Sequence, residues 1–406
     1  MSQTQSDPEI NSHLEVLRNL VNQVFEIDQI TLGGTQEPYL IKYLGLLNQP
    51  SEEAYEKLQA ALLPHQLTPV FRFYEDKHQV ILKKGLVSTE PVQKRTNIIL
   101  FIITFISILF SGMLTSYTGP QTNNIGIIWS HLKGNLGQSI AFAISMLSIL
   151  TAHEFGHYFA ARYHKTRVTL PYFIPFPLSP FGTMGAFIRM LEPPKNRKIL
   201  LDIGLAGPLA GLIIAIPVLV IGLSLSPVET LPANLPEGFL FEGNSILYLI
   251  LKYLVHGAWL PQPLSFFGAN PIIHWMRYFF TGLPLPVGGV DVMIHPVAWA
   301  GWAGLLITSL NLLPAGQLDG GHLVYSLFGD KLQWIRPAIL VVLVLLGFMW
   351  SGWWLWALLI FLLGRVHAEP LDQITPLDPN RRVLAVFGLL VFILVFTPVP
   401  LSIFGV

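Results

Sequence analysis

His153, Glu154 and His157 stand in the run Thr151-Ala152-His153-Glu154-Phe155-Gly156-His157-Tyr158. On a helix, positions four apart share a face, so the two imidazoles can hold one metal ion. Glu154, beside them, can accept a proton from a bound water. This is the spacing by which a helix binds zinc for peptide hydrolysis. The plainer reading packs both histidines against neighbouring helices and leaves Glu154 at a membrane surface. Depth argues against it. His153 lies nine residues before the basic Arg162, about 13 Å of helix, and ionisable groups that deep in an apolar segment are rare and usually functional.

A catalytic zinc takes three protein ligands and keeps one position open. The chain has no cysteine, so a third ligand must be His, Asp or Glu. His164 falls among Arg162, Lys165 and Arg167 and reads as interface; Glu192 sits in a Pro-rich basic loop, and Asp202 opens a later apolar stretch. Asp319 is the better candidate. It lies in Asn311-Leu312-Leu313-Pro314-Ala315-Gly316-Gln317-Leu318-Asp319-Gly320-Gly321-His322, where Pro and Gly break an apolar segment. Such a break is tolerated at membrane depth where backbone lines a cavity or packs on protein. Taken alone, Asp319 reads better as a helix cap or loop carboxylate than as a ligand.

The elements that position these residues are apolar helices. Of 406 residues, 52% are hydrophobic and 12% charged, about half the charge of a typical soluble chain. Stretches long enough to cross a core of about 30 Å lie near 98–117, 138–161, 199–225, 296–314 (continuing toward 328), 333–364 and 383–403. The stretch 333–364 is too long for one span and is expected to turn as a helical hairpin at Ser351-Gly352; 244–255 is short and reads as interfacial or re-entrant.

The first quarter differs. Residues 1–97 hold 12 acidic and 9 basic side chains, so 1–96 is expected to be a soluble α/β domain and 97–406 the polytopic membrane part. Leu14, Leu17, Val21 and Val24 recur at helical spacing. A second helix is expected from Ser51, as N-cap, to about Leu63. Val70–Tyr74 and Gln79–Lys83 read as strands around Glu75-Asp76-Lys77-His78. The opening MSQTQSDPEINS lacks the basic and apolar regions of a signal peptide. Basic residues set the orientation: Lys94 and Arg95 precede the first span, Arg162, Lys165 and Arg167 follow the second, and Arg189, Lys195, Arg197 and Lys198 precede the third. The loops 118–137 and 226–294 carry only Lys133, Lys252 and Arg277. Further basic residues flank 333–364 at Lys331, Arg336 and Arg365. The N-terminus is therefore expected in the cytoplasm. Balanced charge, 24 basic against 24 acidic, gives no footprint for nucleic acid, and the absence of GxxxxGK[ST] argues against a nucleotide-driven machine.

His153-Glu154-Phe155-Gly156-His157 in one span, followed far downstream by Asn311 to His322, resembles the site-2 protease family of intramembrane zinc metalloproteases. The resemblance covers about residues 98–330, with a catalytic core near 138–328. Without a PDZ insert, and with a soluble N-terminal domain, the chain looks most like the plant chloroplast branch and its cyanobacterial relatives. The resemblance implies an α-helical polytopic membrane protein of about 6–8 spans, with zinc held by His153, His157 and Asp319 and Glu154 as general base. It implies that Asn311 holds substrate backbone or a developing oxyanion, although an interhelical hydrogen bond would equally explain an asparagine there. Thr169–Pro177 and Phe181–Arg189, rich in proline and β-formers, resemble the family's re-entrant β-hairpin, whose edge receives an extended substrate; a proline-rich surface loop is the bland alternative. The implied partners are the lipid bilayer and a single-span membrane protein, cleaved near the cytoplasmic side. The implied location is a bacterial, cyanobacterial-type inner or thylakoid membrane. The rival readings are another membrane metalloprotease with a Glu third ligand, and a zinc-binding transporter or inactive protease-like scaffold.

Overall fold

A computed structural model describes residues 8–404 apart from 35–38, 86–93, Thr118, Gln121, 233–238, Phe267, Ala269 and 364–368. The leader reading at residues 1–7 and the basic flank at Arg365 lie outside the described residues. The N-terminal part builds α1 (Pro8–Asn22), β1 (Phe25–Leu32), β2 (Ile41–Leu47), α2 (Ser51–Leu62), β3 (Leu67–Tyr74) and β4 (Lys77–Lys84). The antiparallel sheet runs β1-β2-β4-β3. α2 turns Ala54, Tyr55, Leu58 and Leu62 onto it, the spacing of one helix face, and Leu17, Val21, Phe71 and Val80 complete the core.

Two local expectations are corrected here. Ser51 is not the cap of α2: Pro50 holds that place without a side-chain hydrogen bond, and the Ser51 hydroxyl donates instead to Asp372 at 2.9 Å. The pair β1–β2 was not expected from the sequence, because β1 is exposed along most of its length and so lacks the apolar alternation of a half-buried strand.

The remainder is dominated by helices. α3 (Lys94–Thr115), α4 (Ile125–Gly134), α5 (Leu136–Tyr163), β5 (Tyr172–Pro175), β6 (Thr183–Phe187) and α6 (Arg197–Ser224) come first. There follow β7 (Val228–Thr230), β8 (Leu240–Glu242), α7 (Ile246–His256), α8 (Pro271–Thr281), β9 (Val290–Val292) and α9 (Pro296–Asn311). The chain ends in α10 (Asp319–Phe328), α11 (Leu332–Leu346), α12 (Gly352–Leu363), α13 (Pro379–Val395) and β10 (Leu401–Ile403). Among the described residues, α3, α5 and α6 are long and apolar enough to cross a membrane. Their outer faces remain apolar: Ile98 and Ile106 of α3 are 57% and 58% exposed, which suits lipid rather than water. α5, α6 and α9 share the central core, with Leu150, Leu205, Leu219, Trp302 and Ala303 buried.

The expected run 296–314 ends earlier, at Asn311, and 312–318 is an irregular break before α10. The segment 333–364 divides into α11 and α12, which pack antiparallel: the Trp354 indole donates to the Val344 carbonyl, and Arg336 to that of Phe361. α7 coincides with the short apolar stretch at 244–255. The loops 118–137 and 226–294 contain α4, α7, α8 and three short strands.

Three chain segments fasten the N-terminal sheet to the helices. Phe71 of the edge strand β3 donates its N–H to the Leu371 carbonyl at 2.8 Å, and Gln373 N–H returns to the Phe71 carbonyl. Leu371 and Asp372 then donate to the carbonyls of Pro194 and Lys195. Glu52 meets Lys198 at 2.7 Å and Asn196 at 3.2 Å. The basic start of α6 therefore lies against the N-terminal part.

Candidate metal centre

His153 and His157 project from successive turns of α5 with ring centroids 4.9 Å apart and their Nε2 atoms 3.2 Å apart. Nδ1 of His157 lies 2.7 Å from the Ile203 carbonyl of α6. A carbonyl only accepts, so Nδ1 carries the proton and donates there, leaving Nε2 a free lone pair. This approach of α6 depends on glycine. A Cβ at Gly207 would overlap the His157 ring, and one at Gly156 would meet the Ala206 carbonyl at 2.5 Å. The glycine stripe of α6 is thus close packing against the ligand helix.

Asp319 arrives from another element, as the first residue of α10. Pro314 and Gly316, the latter at φ 63°, end the preceding helix and turn the chain back. Asp319 Oδ2 lies 3.5 Å from His153 Nε2 and 3.4 Å from His157 Nε2. With the 3.2 Å between the two imidazoles, the three donors form a nearly equilateral triangle. Zinc bonds of about 2.0–2.1 Å in tetrahedral array separate ligand atoms by roughly 3.3 Å. The donor set therefore fits one face of a zinc site, with a fourth position over. Among the described residues it is the one group of three or more His, Asp or Glu side chains within reach of a single ion.

Glu154 is buried beside the pair and takes the backbone N–H of Ile188, just past β6, on its carboxylate. The Asn311 amide nitrogen, at the end of α9, is 3.2 Å from His153 Nε2. A cavity of about 380 Å³ joins these groups and is walled by the continuation of β6 from Ala186 to Met190. β5 and β6 pair as a two-stranded antiparallel hairpin. The Asn97 amide of α3 holds the chain entering β5 through the carbonyls of Leu170 and Pro171, while the far edge of β6 pairs with no described strand.

The structure thus brings together His153, His157, Asp319, Glu154 and Asn311. The other candidate ligands lie elsewhere. His164 is 2.8 Å from Asp202, Asp202 is gripped by Arg381, and Glu192 accepts the Arg167 N–H at 2.7 Å. Gln317 and His322 also line the cavity and were not singled out from the sequence. For His322 the signal was available: it stands three residues after Asp319, on the same helix face.

This donor set, two imidazoles on a helix of membrane-spanning length and a carboxylate at the start of the short α10, defines the class, a membrane-embedded metallopeptidase scaffold. The particular family follows from the sequence. The profile of Peptidase family M50 matches residues 141–350, and the chain belongs to that family, the site-2 proteases. It is 27% identical over 401 residues to the "Probable zinc metalloprotease EGY2, chloroplastic" of Oryza sativa subsp. indica, covering 94% of this chain and 66% of that protein. It is 31% identical over 268 residues to the "Probable zinc metalloprotease EGY1, chloroplastic" of Arabidopsis thaliana, covering 64% of this chain and 43% of that one. The "Probable zinc metallopeptidase EGY3, chloroplastic" of Arabidopsis thaliana matches at 27% over 266 residues, with 62% and 41% covered. The chain thus spans from about two fifths to just under two thirds of the length of these relatives. No solved structure matches.

Proposed function

We propose that the chain is an intramembrane zinc metalloprotease that cleaves single-span membrane proteins near the cytoplasmic face. The observation that carries this reading is the triangle of His153 Nε2, His157 Nε2 and Asp319 Oδ2 with buried Glu154 beside it. Zinc held by those three residues would supply Lewis-acid activation of water and polarise the scissile carbonyl. Glu154 takes the proton from the attacking water and passes it to the leaving amine. Ile203 fixes the His157 tautomer through Nδ1 and so keeps Nε2 unprotonated. Asn311 orients the substrate carbonyl from the opposite wall.

A helical peptide bond is shielded by its own hydrogen bonds, so the substrate must be extended before attack. The unpaired edge of β6 supports strand addition as the means, with Ile188 placing that edge against Glu154. The hairpin is re-entrant in this reading. Its tip is held by Ser107 and Ser111 of α3, which donate to the carbonyls of Gly182 and Ser179. The start of α3, the end of α5 and the start of α6 carry Lys94, Arg95, Arg162, Arg197 and Lys198, which supports a cytoplasmic location for the residue 8–85 module. In this reading α9–α10, α11, α12 and α13 each cross once beside the three long helices, a total of seven that falls within the expected 6–8. The membrane is a thylakoid or bacterial inner membrane, in keeping with the chloroplast names of the relatives.

The test is cleavage of a single-span substrate in liposomes by wild type, Glu154→Gln and Asp319→Ala, with bound zinc measured in each. Both variants are expected to be inactive, Glu154→Gln with zinc retained and Asp319→Ala with zinc lost. Cleavage by Glu154→Gln would overturn the mechanism. Zinc binding without cleavage of any substrate would favour a transporter or scaffold.

A further inference from the structure

A second cavity, of about 490 Å³, opens at the other end of the bundle. Its walls include the end of α3 at Thr115 and Ser116, the first turn of α5 at Gln138 and the first turn of α9 at Pro296 and Trp299. These ends lie opposite the basic, N-domain-facing ends of α3, α5 and α6. Across the gap stand the ribbons β7–β9 and β8–β10; Glu242 of β8 and Asp291 of β9 both face it. Most of the remaining wall is apolar, from Leu231, Phe241 and Met293.

The polar groups here are mismatched. Two carboxylates meet one ammonium, that of Lys252, which is fully buried and makes no hydrogen bond. Its nearest carboxylate oxygen, on Asp291, is 3.9 Å away, and it lies 4.5 Å over the Tyr248 ring. The indole N–H of Trp299 is also buried and without a partner. Glu242 accepts the Tyr248 hydroxyl at 3.0 Å and its own backbone N–H. Burial, then the Asp291 carboxylate, push Glu242 up to about 7. Unmet buried donors are costly. A site with spare carboxylate capacity and orphaned N–H donors, within apolar walls, matches a polypeptide. A carbonyl of that chain answers Trp299, and a cationic side chain answers Glu242 and Asp291, all three of which line the cavity.

The cavity is also continuous with the proposed substrate path. Trp299 stacks on Phe181, at the tip of the β5–β6 hairpin, with centroids 5.6 Å apart, and β6 runs from that tip to the metal centre. From Phe181 to Ile188 is seven residues, roughly 23 Å of extended chain.

We propose that this cavity binds the non-cytoplasmic flank of the substrate and selects for a lysine or arginine about seven to ten residues from the cleaved bond. The inference rests on the strand-addition reading above. One substrate chain would lie along β6 with its flank against Trp299 and its basic side chain at Glu242 and Asp291. The chain length between the two sites then acts as a ruler for where cleavage falls.

The chain has no cysteine, which makes disulfide capture a clean test. Single substitutions Met293→Cys in the cavity, Phe187→Cys on β6 and Ile127→Cys on α4 as control are placed in the full chain carrying Glu154→Gln. Each is incubated under mild oxidation with synthetic single-span peptides bearing one lysine and one adjacent cysteine, stepped along the non-cytoplasmic flank. A second peptide set carries the cysteine in the cleaved region. The expected result is capture at Met293→Cys, at least fivefold above the Ile127→Cys control and peaked where the lysine is seven to ten residues from the β6-captured position. It should fall at least fivefold when the peptide lysine becomes glutamate, a change that leaves the protein's own folding untouched. Capture no better than control, or indifferent to the lysine, overturns the proposal. If Phe187→Cys still captures the cleaved region, the strand-addition reading survives that failure. If Phe187→Cys captures nothing, that reading has failed on its own count.

Discussion

His157 rests directly on Gly207: the imidazole Nε2 that faces Asp319 occupies the space a Cβ at Gly207 would need. Small residues in apolar helices are ordinarily explained by helix approach alone. Here the approach has a chemical consequence, because the same contact sets the ring that must present a lone pair. Gly207→Ala is therefore expected to do more than strain the core by the usual 1–3 kcal/mol or so. It should weaken zinc binding by about 10- to 100-fold, as loss of a supporting contact does. Gly211→Ala, whose Cβ would meet His153 at 3.2 Å, should cost less. Zinc titration of the two purified variants checks the order; equal affinities would refute it.

The roles within the centre separate by metal retention. Asp319→Asn keeps size and loses charge, so zinc affinity should fall by at least tenfold, while Glu154→Gln should leave it within about twofold. Equilibrium dialysis against a zinc chelator distinguishes them. Equal losses would mean that Glu154 is a ligand rather than a base.

The local part of this centre was legible in the sequence, because His153, Glu154 and His157 fall within five residues of one helix, whose regular geometry fixes their arrangement. Asp319 stood out through the Pro314–Gly316 break around it. The remainder was not legible because it is made by non-local contacts. Ser51 looks like a helix cap, yet its partner is 321 residues away. Glu242, Lys252 and Asp291 are scattered over three elements, and only the folding of two short ribbons brings them together. β1 was missed since an exposed strand need not alternate.

Stability should carry the mark of Glu242. Its folded pKa, about 7, lies above that of an unfolded glutamate near 4.3, so the folded chain binds more protons between those values. Its contribution is full below the unfolded pKa and is lost as pH rises through 7. The slope is at most about 1.4 kcal/mol per pH unit, reduced by the coupling to Asp291 and Lys252 and faced also by Tyr248 and Tyr278. Denaturant unfolding from pH 5 to 8 should show wild type losing stability more steeply than Glu242→Gln. Parallel curves would place the titration elsewhere.

The end of the bundle that faces the N-terminal sheet is tied by one guanidinium. Arg381, at the start of α13, reaches Asp202 of α6 through Nε at 2.9 Å and Nη2 at 2.6 Å, and Asp378 through Nη1 at 2.7 Å. The bidentate, partly buried Asp202 contact should outweigh the local one to Asp378. Double-mutant cycles with Arg381→Gln should give a coupling of about 1–3 kcal/mol for Asp202→Asn and under about 1 kcal/mol for Asp378→Asn. A larger coupling at Asp378 would show that Arg381 serves α13 alone.

Docking of the N-terminal sheet depends on Asp372, which is 1% exposed. Its carboxylate accepts the Ser51 hydroxyl and the N–H groups of Ile374 and Thr375, at 2.9, 2.8 and 3.2 Å, and also the Thr375 hydroxyl. Asp372→Ala would strand these donors in a buried seam, at about 1–3 kcal/mol for each left unsatisfied. The seam should open before the sheet melts, because Phe71 bonds outward to Leu371 whereas Val80 lies within the core. Hydrogen exchange should therefore accelerate at the Phe71 amide by tenfold or more while Val80 stays protected. Equal acceleration at both would mean that Asp372 supports the folding of residues 8–85 and not their attachment to the membrane helices.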